Sequence, residues 1–262
     1  MSDSVALEKG DVIFVSDVHL GGFSPEINSE IEDRLILLID EAIGKNCRVI
    51  VVGDLFDYWM EYRGVWPEYG NRVLEHFEKL NKQQPTLFIT GNHDNWTGPR
   101  LVRAGFELES ETKTITLGNQ KVMLAHGDGL SDTEFGFPRP LFHRLLRNPY
   151  FVKIFQTILP PLAGISVMRS FSRASRKRDS VEKLQRETTQ IDNWAMRMLK
   201  SGRADVMICG HHHKPVFNKS NEGLYINLGN FCHDSTLAVY TRNGFELVKW
   251  QADTRQFLTY TR

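Results

Sequence analysis

The sequence predicts an α/β fold, a two-sheet αββα sandwich flanked by helices and carrying an inserted helical lid. Three observations predict it. Apolar, β-branched runs alternate with helical patterns up to Asn92, which implies a largely parallel sheet covered by helices. After residue 111 the pattern changes to hairpins. Between residues 133 and 180 both patterns give way to a basic, apolar, helical stretch. The core is therefore expected at 1–132 and 181–262, with 133–180 as the insertion.

Each element has a local reason. Val12-Ile13-Phe14-Val15, Val49-Ile50-Val51-Val52, Thr86-Leu87-Phe88-Ile89-Thr90, Val122-Met123-Leu124-Ala125 and Val206-Met207-Ile208-Cys209 are continuous apolar runs, the mark of strands buried on both faces. Residues 29–43 read as a helix. Ser29 and Glu32 offer a capping box, Ile31, Leu35, Leu38 and Ala42 fall at helical spacing, and Gly44 can end it. Residues 68–82 read as a second helix with Val73, Leu74, Phe77 and Leu80 inward. Thr114–Leu117, the Gly118-Asn119 turn and Lys121–Ala125 form a hairpin signal. Residues 224–228 and 236–250 supply further strands, the latter turning at Asn243-Gly244.

Polar blocks follow the five apolar runs: Asp17-Val18-His19, Gly53-Asp54, Gly91-Asn92-His93-Asp94, His126-Gly127-Asp128 and Gly210-His211-His212-His213. Singly, such blocks read as turns and caps. As an ordered set at strand ends they can converge on one crevice. Imidazole with carboxylate suits Mn, Fe or Zn, and seven ligands exceed the needs of one ion. The reading is a hydrolytic site for two divalent cations. Asp54 could bridge them. Asp17, His19 and His213 could complete one position, and Asn92, His126 and His211 the other. His93 points away from Asn92 on a turn, so it is expected to bind or protonate a phosphate oxygen. Asp94 would hold the His93 tautomer or cap the following segment.

The 262 residues carry 32 basic and 32 acidic side chains, which gives no global case for nucleic-acid binding. Cys47, Cys209 and Cys232 lie in or beside apolar runs, a pattern of reduced thiols in a cytoplasmic protein. Residues 1–10 carry acids and no apolar core of a signal peptide, and no run of about 20 apolar residues exists. From Phe135 to Arg178 there is no Asp or Glu, while Arg139, Arg144, Arg147, Lys153, Arg169, Arg173, Arg176, Lys177 and Arg178 accumulate among aromatics. Such a segment reads as a surface for an anionic amphiphile or an anionic membrane. The alternative is a helical subdomain with a solvated basic face. Tyr58, Trp59, Tyr62 and Trp66 could line a pocket mouth or pack beneath a loop.

In this order the blocks resemble those of the calcineurin-like metallophosphoesterases, over residues 11 to 230. Ser16-Asp17-Val18-His19-Leu20-Gly21, Gly53-Asp54-Leu55-Phe56-Asp57-Tyr58-Trp59, His126-Gly127-Asp128-Gly129-Leu130 and the basic insertion are more closely similar to UDP-2,3-diacylglucosamine hydrolases of lipid A synthesis. The resemblance implies the metallophosphoesterase fold, two Mn2+ ions, a UDP-linked acylated sugar as substrate, and a peripheral place on the inner face of the cytoplasmic membrane. Cleavage of the pyrophosphate would release UMP. The inserted lid would grip acyl chains. Asn95, Glu134, and Ser172, Arg173, Ser175 and Arg176 of the lid fall where that family places substrate contacts. One position departs from it: His93 stands where the best-studied of those hydrolases carry Arg. That leaves a phosphodiesterase or phosphatase for a soluble substrate as the second reading. A non-catalytic peripheral membrane protein is the third.

Overall fold

The computed structural model describes residues 4–62, 64–177 and 181–260, with side chains at all of these except 133, 169, 171–177 and 181–184. The chain runs β1 (Ser4–Val5), β2 (Val12–Val15), α1 (Pro25–Lys45), β3 (Arg48–Val52), α2 (Asn71–Asn81), β4 (Thr86–Ile89), α3 (Pro99–Arg103), β5 (Phe106–Glu109), β6 (Thr112–Leu117) and β7 (Gln120–Ala125). A 3-10 turn at Thr133–Phe135 leads into α4 (Leu141–Leu146), α5 (Pro149–Ile158) and α6 (Pro161–Lys177). Then come α7 (Val181–Lys200), β8 (Val206–Cys209), β9 (Pro215–Ser220), β10 (Gly223–Leu228), α8 (Phe231–Asp234), β11 (Thr236–Thr241), β12 (Gly244–Gln251) and β13 (Gln256–Thr259).

The strands form two sheets. One has the order β1-β13-β12-β11-β2-β3-β4-β5, the other β6-β7-β8-β10-β9. Strands β2 to β5 pair in parallel, as do β7 with β8 and β8 with β10. The continuous apolar runs follow from burial on both faces. Phe14, Ile50, Val52 and Ile89 meet Leu124, Ile208 and Ile226 between the sheets. The alternate residues Ile13, Val15, Val51 and Phe88 pack under α1 and α2 with Leu35, Leu38, Val73 and Phe77. On the far side α7 covers the second sheet with Ile191, Trp194, Ala195 and Met198. This is the αββα sandwich the sequence predicts, with all five polar blocks at the ends of β2, β3, β4, β7 and β8.

Two boundaries differ from expectation. Helix α1 begins at Pro25 behind an N-cap at Ser24, whose hydroxyl accepts from the Ile27 amide at 3.5 Å. Proline at the first helical position has no amide to lose there. Glu32 closes no box with Ser29. Its Oε1 accepts from the Gly70 amide at 3.1 Å and ties α1 to the start of α2. The helix runs through Gly44 and ends on Asn46 in the left-handed region.

Helices α4 to α6 rest on the loops that follow β3 and β4. Met60, Tyr62, Trp96 and Leu146 form a small buried cluster, joined by Phe151, Phe155 and Met168. Tyr62 Oη donates to the carbonyls of Phe155 (3.2 Å) and Leu159 (2.9 Å), and Trp96 Nε1 to that of Leu146 (2.6 Å). Tyr62 and Trp59 are thus packing residues, whereas Tyr58 and Trp59 also wall a slot described below.

Candidate metal centre and catalytic cleft

The five strand ends bring Asp17, His19, Asp54, Asn92, His126, His211 and His213 together. His213 Nε2 lies 3.1 Å from Asp17 Oδ1 and 3.2 Å from His19 Nε2. His126 Nε2 lies 3.2 Å from Asp54 Oδ2, 3.2 Å from Asn92 Oδ1 and 3.3 Å from His211 Nδ1. Asp54 Oδ2 stands between the two groups, 3.9 Å from His19 Nε2. Donor atoms about 2.1 Å from one cation sit roughly 3.0–3.4 Å apart, so these spacings match the edges of coordination shells. Imidazole nitrogens facing each other at 3.2 Å can share either a proton or a cation. The donor set therefore fits divalent cations, with Asp17, His19 and His213 around one position and Asp54, His126 and His211 around another.

The backbone bends to make this possible. Among the described residues, eight non-glycine ones have positive φ, and Asp17, His19, Asp54, His211 and His213 are five of them. Such conformations cost energy and persist only where surroundings impose them. Here Val18 and His19 amides both donate to the Asp54 carbonyl, and the His211 amide donates to the Asp17 carboxylate at 3.0 Å. Gly53 and Gly91 are required by close approach: a Cβ on Gly53 would strike the His126 ring, and one on Gly91 the Asp54 carboxylate.

Electrostatics sharpen the site. Burial alone would raise the Asp17 and Asp54 carboxyls, yet the surrounding imidazoles hold both well below the usual carboxylate range. Burial works against a charge on His126 too, but Asp54 overrides it and lifts His126 to about 10. Burial and the neighbouring His126 push His211 down to about 3. His126 Nδ1 donates to the Val52 carbonyl at 3.0 Å, which aims Nε2 into the cleft.

His93 lines the same cleft. Its ring donates from Nδ1 to the Asp57 carbonyl at 2.5 Å, with the Asp57 carboxylate 3.9 Å away. Burial depresses its pKa. The expected tautomer-holding role of Asp94 is corrected by this geometry. Asp94 accepts from the Gly91 amide (2.7 Å) on one oxygen and from Leu55 (2.7 Å) and Phe56 (3.3 Å) on the other. It binds two site loops together and caps no helix, since the next one starts behind Gly98. Burial and Asp54 push its carboxyl up to about 7. Asp57 takes the role at His93 and also sits 3.7 Å from His19 Nδ1. The Asp three residues beyond Gly53-Asp54 was the available signal.

Asn95 lines a slot beside His93, and its Nδ2 donates to the Asn92 carbonyl at 3.0 Å. Tyr58, Trp59, Met60, Trp96, Phe142 and Met168 make that slot apolar. Glu134 is corrected: it is exposed on the 3-10 turn, its amide donates to Asp132, and it is not among the cleft-lining residues. The side chains of Ser172, Arg173, Ser175 and Arg176 lie outside the described ones.

Arg139 and Arg147 reach inward from the segment that follows β7. Arg147 donates to the Thr90 carbonyl (3.1 Å) and hydroxyl (3.1 Å) and to the Gly91 (2.8 Å) and Ser110 (2.8 Å) carbonyls. It also donates to Asp128 Oδ2 at 3.1 Å. Arg139 is 3% exposed and joins Asp128 (3.2 Å) to Glu111 (2.7 Å). Burial would raise Asp128, but these two guanidiniums bring it down to about 2. Sequence reasoning counted both as surface charge.

Residues 10–215 match the family model described as Calcineurin-like phosphoesterase. The UDP-2,3-diacylglucosamine hydrolase of Coxiella burnetii (strain RSA 331 / Henzerling II) is 24% identical over 247 residues, 92% of this chain and 98% of its own. The protein of that name from Vibrio parahaemolyticus serotype O3:K6 is 27% identical over 244 residues, 90% of this chain and 96% of its own.

Proposed function

Because the chain belongs to the calcineurin-like phosphoesterase family, we propose that this metal-dependent hydrolase cleaves the pyrophosphate bond of UDP-2,3-diacylglucosamine, giving UMP and 2,3-diacylglucosamine 1-phosphate. The observation that carries the reading is the junction of two environments at His93. On one side lies the nest of Asp17, His19, Asp54, Asn92, His126, His211 and His213; on the other, the apolar slot under the insertion. A diphosphate tethered to acyl chains needs both. Relatives bearing that hydrolase name align along nearly their whole length.

Two divalent cations, Mn2+ the expected ion, would supply an activated water and neutralise charge on the phosphate oxygens. The chain's own groups do the rest. Asp17, His19 and His213 hold one position, Asn92, His126 and His211 the other, and Asp54 faces both. His93, steered by Asp57 through Nδ1, presents its Nε2 to the cleft and, as the imidazolium, gives the Nε2 proton to the departing oxygen. Asn95 sits beside it to meet the substrate. The apolar outer face of α4 to α6, with Leu141, Tyr150, Ile154, Ile158 and Leu162 exposed, rests against the inner face of the cytoplasmic membrane. No helix among the described residues is long and apolar enough to cross one.

The test is direct. Purified protein with Mn2+ should release UMP from UDP-2,3-diacylglucosamine. Asp54→Ala should release none. If UMP comes only from an unacylated nucleotide sugar, the substrate is a soluble phosphoester.

A further inference from the structure

His212 is the middle residue of the Gly210–His213 block, and neither the cations nor the phosphate require it. It is 1% exposed, while His211 and His213 on either side have φ of 75° and 58°. That alternation turns the outer two imidazoles toward the cleft and the middle one into the protein. There the Lys214 amide donates to His212 Nδ1 at 3.1 Å. An accepting Nδ1 on a neutral ring leaves the proton on Nε2. Nε2 lies 3.4 Å from Asp192 Oδ1 and 3.4 Å from the Tyr225 hydroxyl, which itself donates to Asp192 Oδ1 at 2.8 Å. Tyr225 is a buried residue of β10, and Asp192 lies on α7 beside Ile191, a residue of the cleft wall. One buried ring thus joins the His loop, a strand and the helix that follows the insertion.

We propose that His212 is a positioning residue, pinned by Asp192 and Tyr225, which holds His211 and His213 in the left-handed backbone that aims them at the cations. The inference rests on the reading of His211 and His213 as ligands. It adds that α7, through Asp192, sets the geometry of that pair. An apolar residue at 212 would fill the same space, yet it would leave the loop free to rotate about its two strained neighbours.

Asp192 is 39% exposed at its side chain, so Asp192→Asn should fold. Tyr225→Phe keeps the ring and removes only the hydroxyl. Mn2+ binding to the intact protein, followed by electron paramagnetic resonance, should weaken about 10- to 100-fold in each variant, as for other groups that orient metal-bound imidazoles. Turnover at saturating Mn2+ should return to within a few-fold of the parent, with KM for the substrate unchanged. A fall in thermal midpoint with unchanged Mn2+ affinity would reduce the cluster to packing and overturn the proposal. Parent protein that binds no Mn2+ would instead sink the metal-site reading itself.

Discussion

The loops at the strand ends and the helices inserted above them are built on opposite rules. In the loops, the carboxylates of the site are held by backbone amides of neighbouring loops. Asp17 accepts from the His211 amide, Asp54 from the His93 amide, and Asp94 clamps three amides across two loops. In the insertion, α5 is apolar on two sides. Phe151 and Phe155 turn inward, while Tyr150 is 77% and Ile158 71% exposed. A helix with two apolar faces, one of them packed and the other in solvent, has a face to spare. The loops fix chemistry to fractions of an ångström, and the insertion offers area. Arg147 is the joint between the two.

The largest effect is expected at His93. His93→Ala should lower turnover by about 10²–10⁴-fold, the usual worth of a proton donor, with cation content unchanged by elemental analysis. Loss of the cations in that variant would move His93 into the donor set. At the joint, Arg147→Met should destabilise the protein by about 1–3 kcal/mol, because it removes one of the two guanidiniums at Asp128 and leaves the buried Thr90 and Gly91 carbonyls without their donor. Chemical denaturation measures it. A cost under 1 kcal/mol would mean the insertion is held by its apolar cluster alone.

The same joint should be acid-labile. Asp128 has a depressed folded pKa of about 2 against roughly 3.9 in an unfolded chain. The folded state therefore binds fewer protons in that window. Its stabilisation is complete above about pH 4 and is lost as pH falls through 2. The full difference is on the order of 2–3 kcal/mol. Denaturation midpoints from pH 5 to 2 should fall less steeply in Asp128→Asn than in the parent.

The same contrast explains what the sequence discloses. The five strand-end blocks are legible because continuous apolar runs and their polar termini are local, and the side chains of those blocks lie together at the strand ends. Asp57 was passed over, since only the fold shows that its carbonyl faces His93 and its carboxylate His19. Arg139 and Arg147 look like surface charge in the sequence because their partners are mostly oxygens distant along the chain, at residues 90, 91, 110 and 111. The start of α1 was misplaced for a similar reason: Glu32, a fitting capping-box residue, is taken by Gly70. Edge strands such as β5, Phe-Glu-Leu-Glu, carry charges that hide them.

The smallest effect on stability should come from the spare face. Ile154→Ser with Ile158→Ser removes side chains that are 58% and 71% exposed, so the denaturation midpoint should move by less than about 0.5 kcal/mol per site. Binding to vesicles containing anionic lipid should fall by about tenfold or more, since each apolar side chain is worth on the order of 1 kcal/mol of interfacial burial. Raising salt adds a second axis. The charged contribution is screened over about 10 Å at 0.1 M and the apolar one is not. A double variant whose residual binding vanishes with salt would show that bases such as the exposed Lys153 carry what the isoleucines do not. A variant that binds vesicles as tightly as the parent would show that this face meets no membrane, and that its apolar area serves the acyl chains alone.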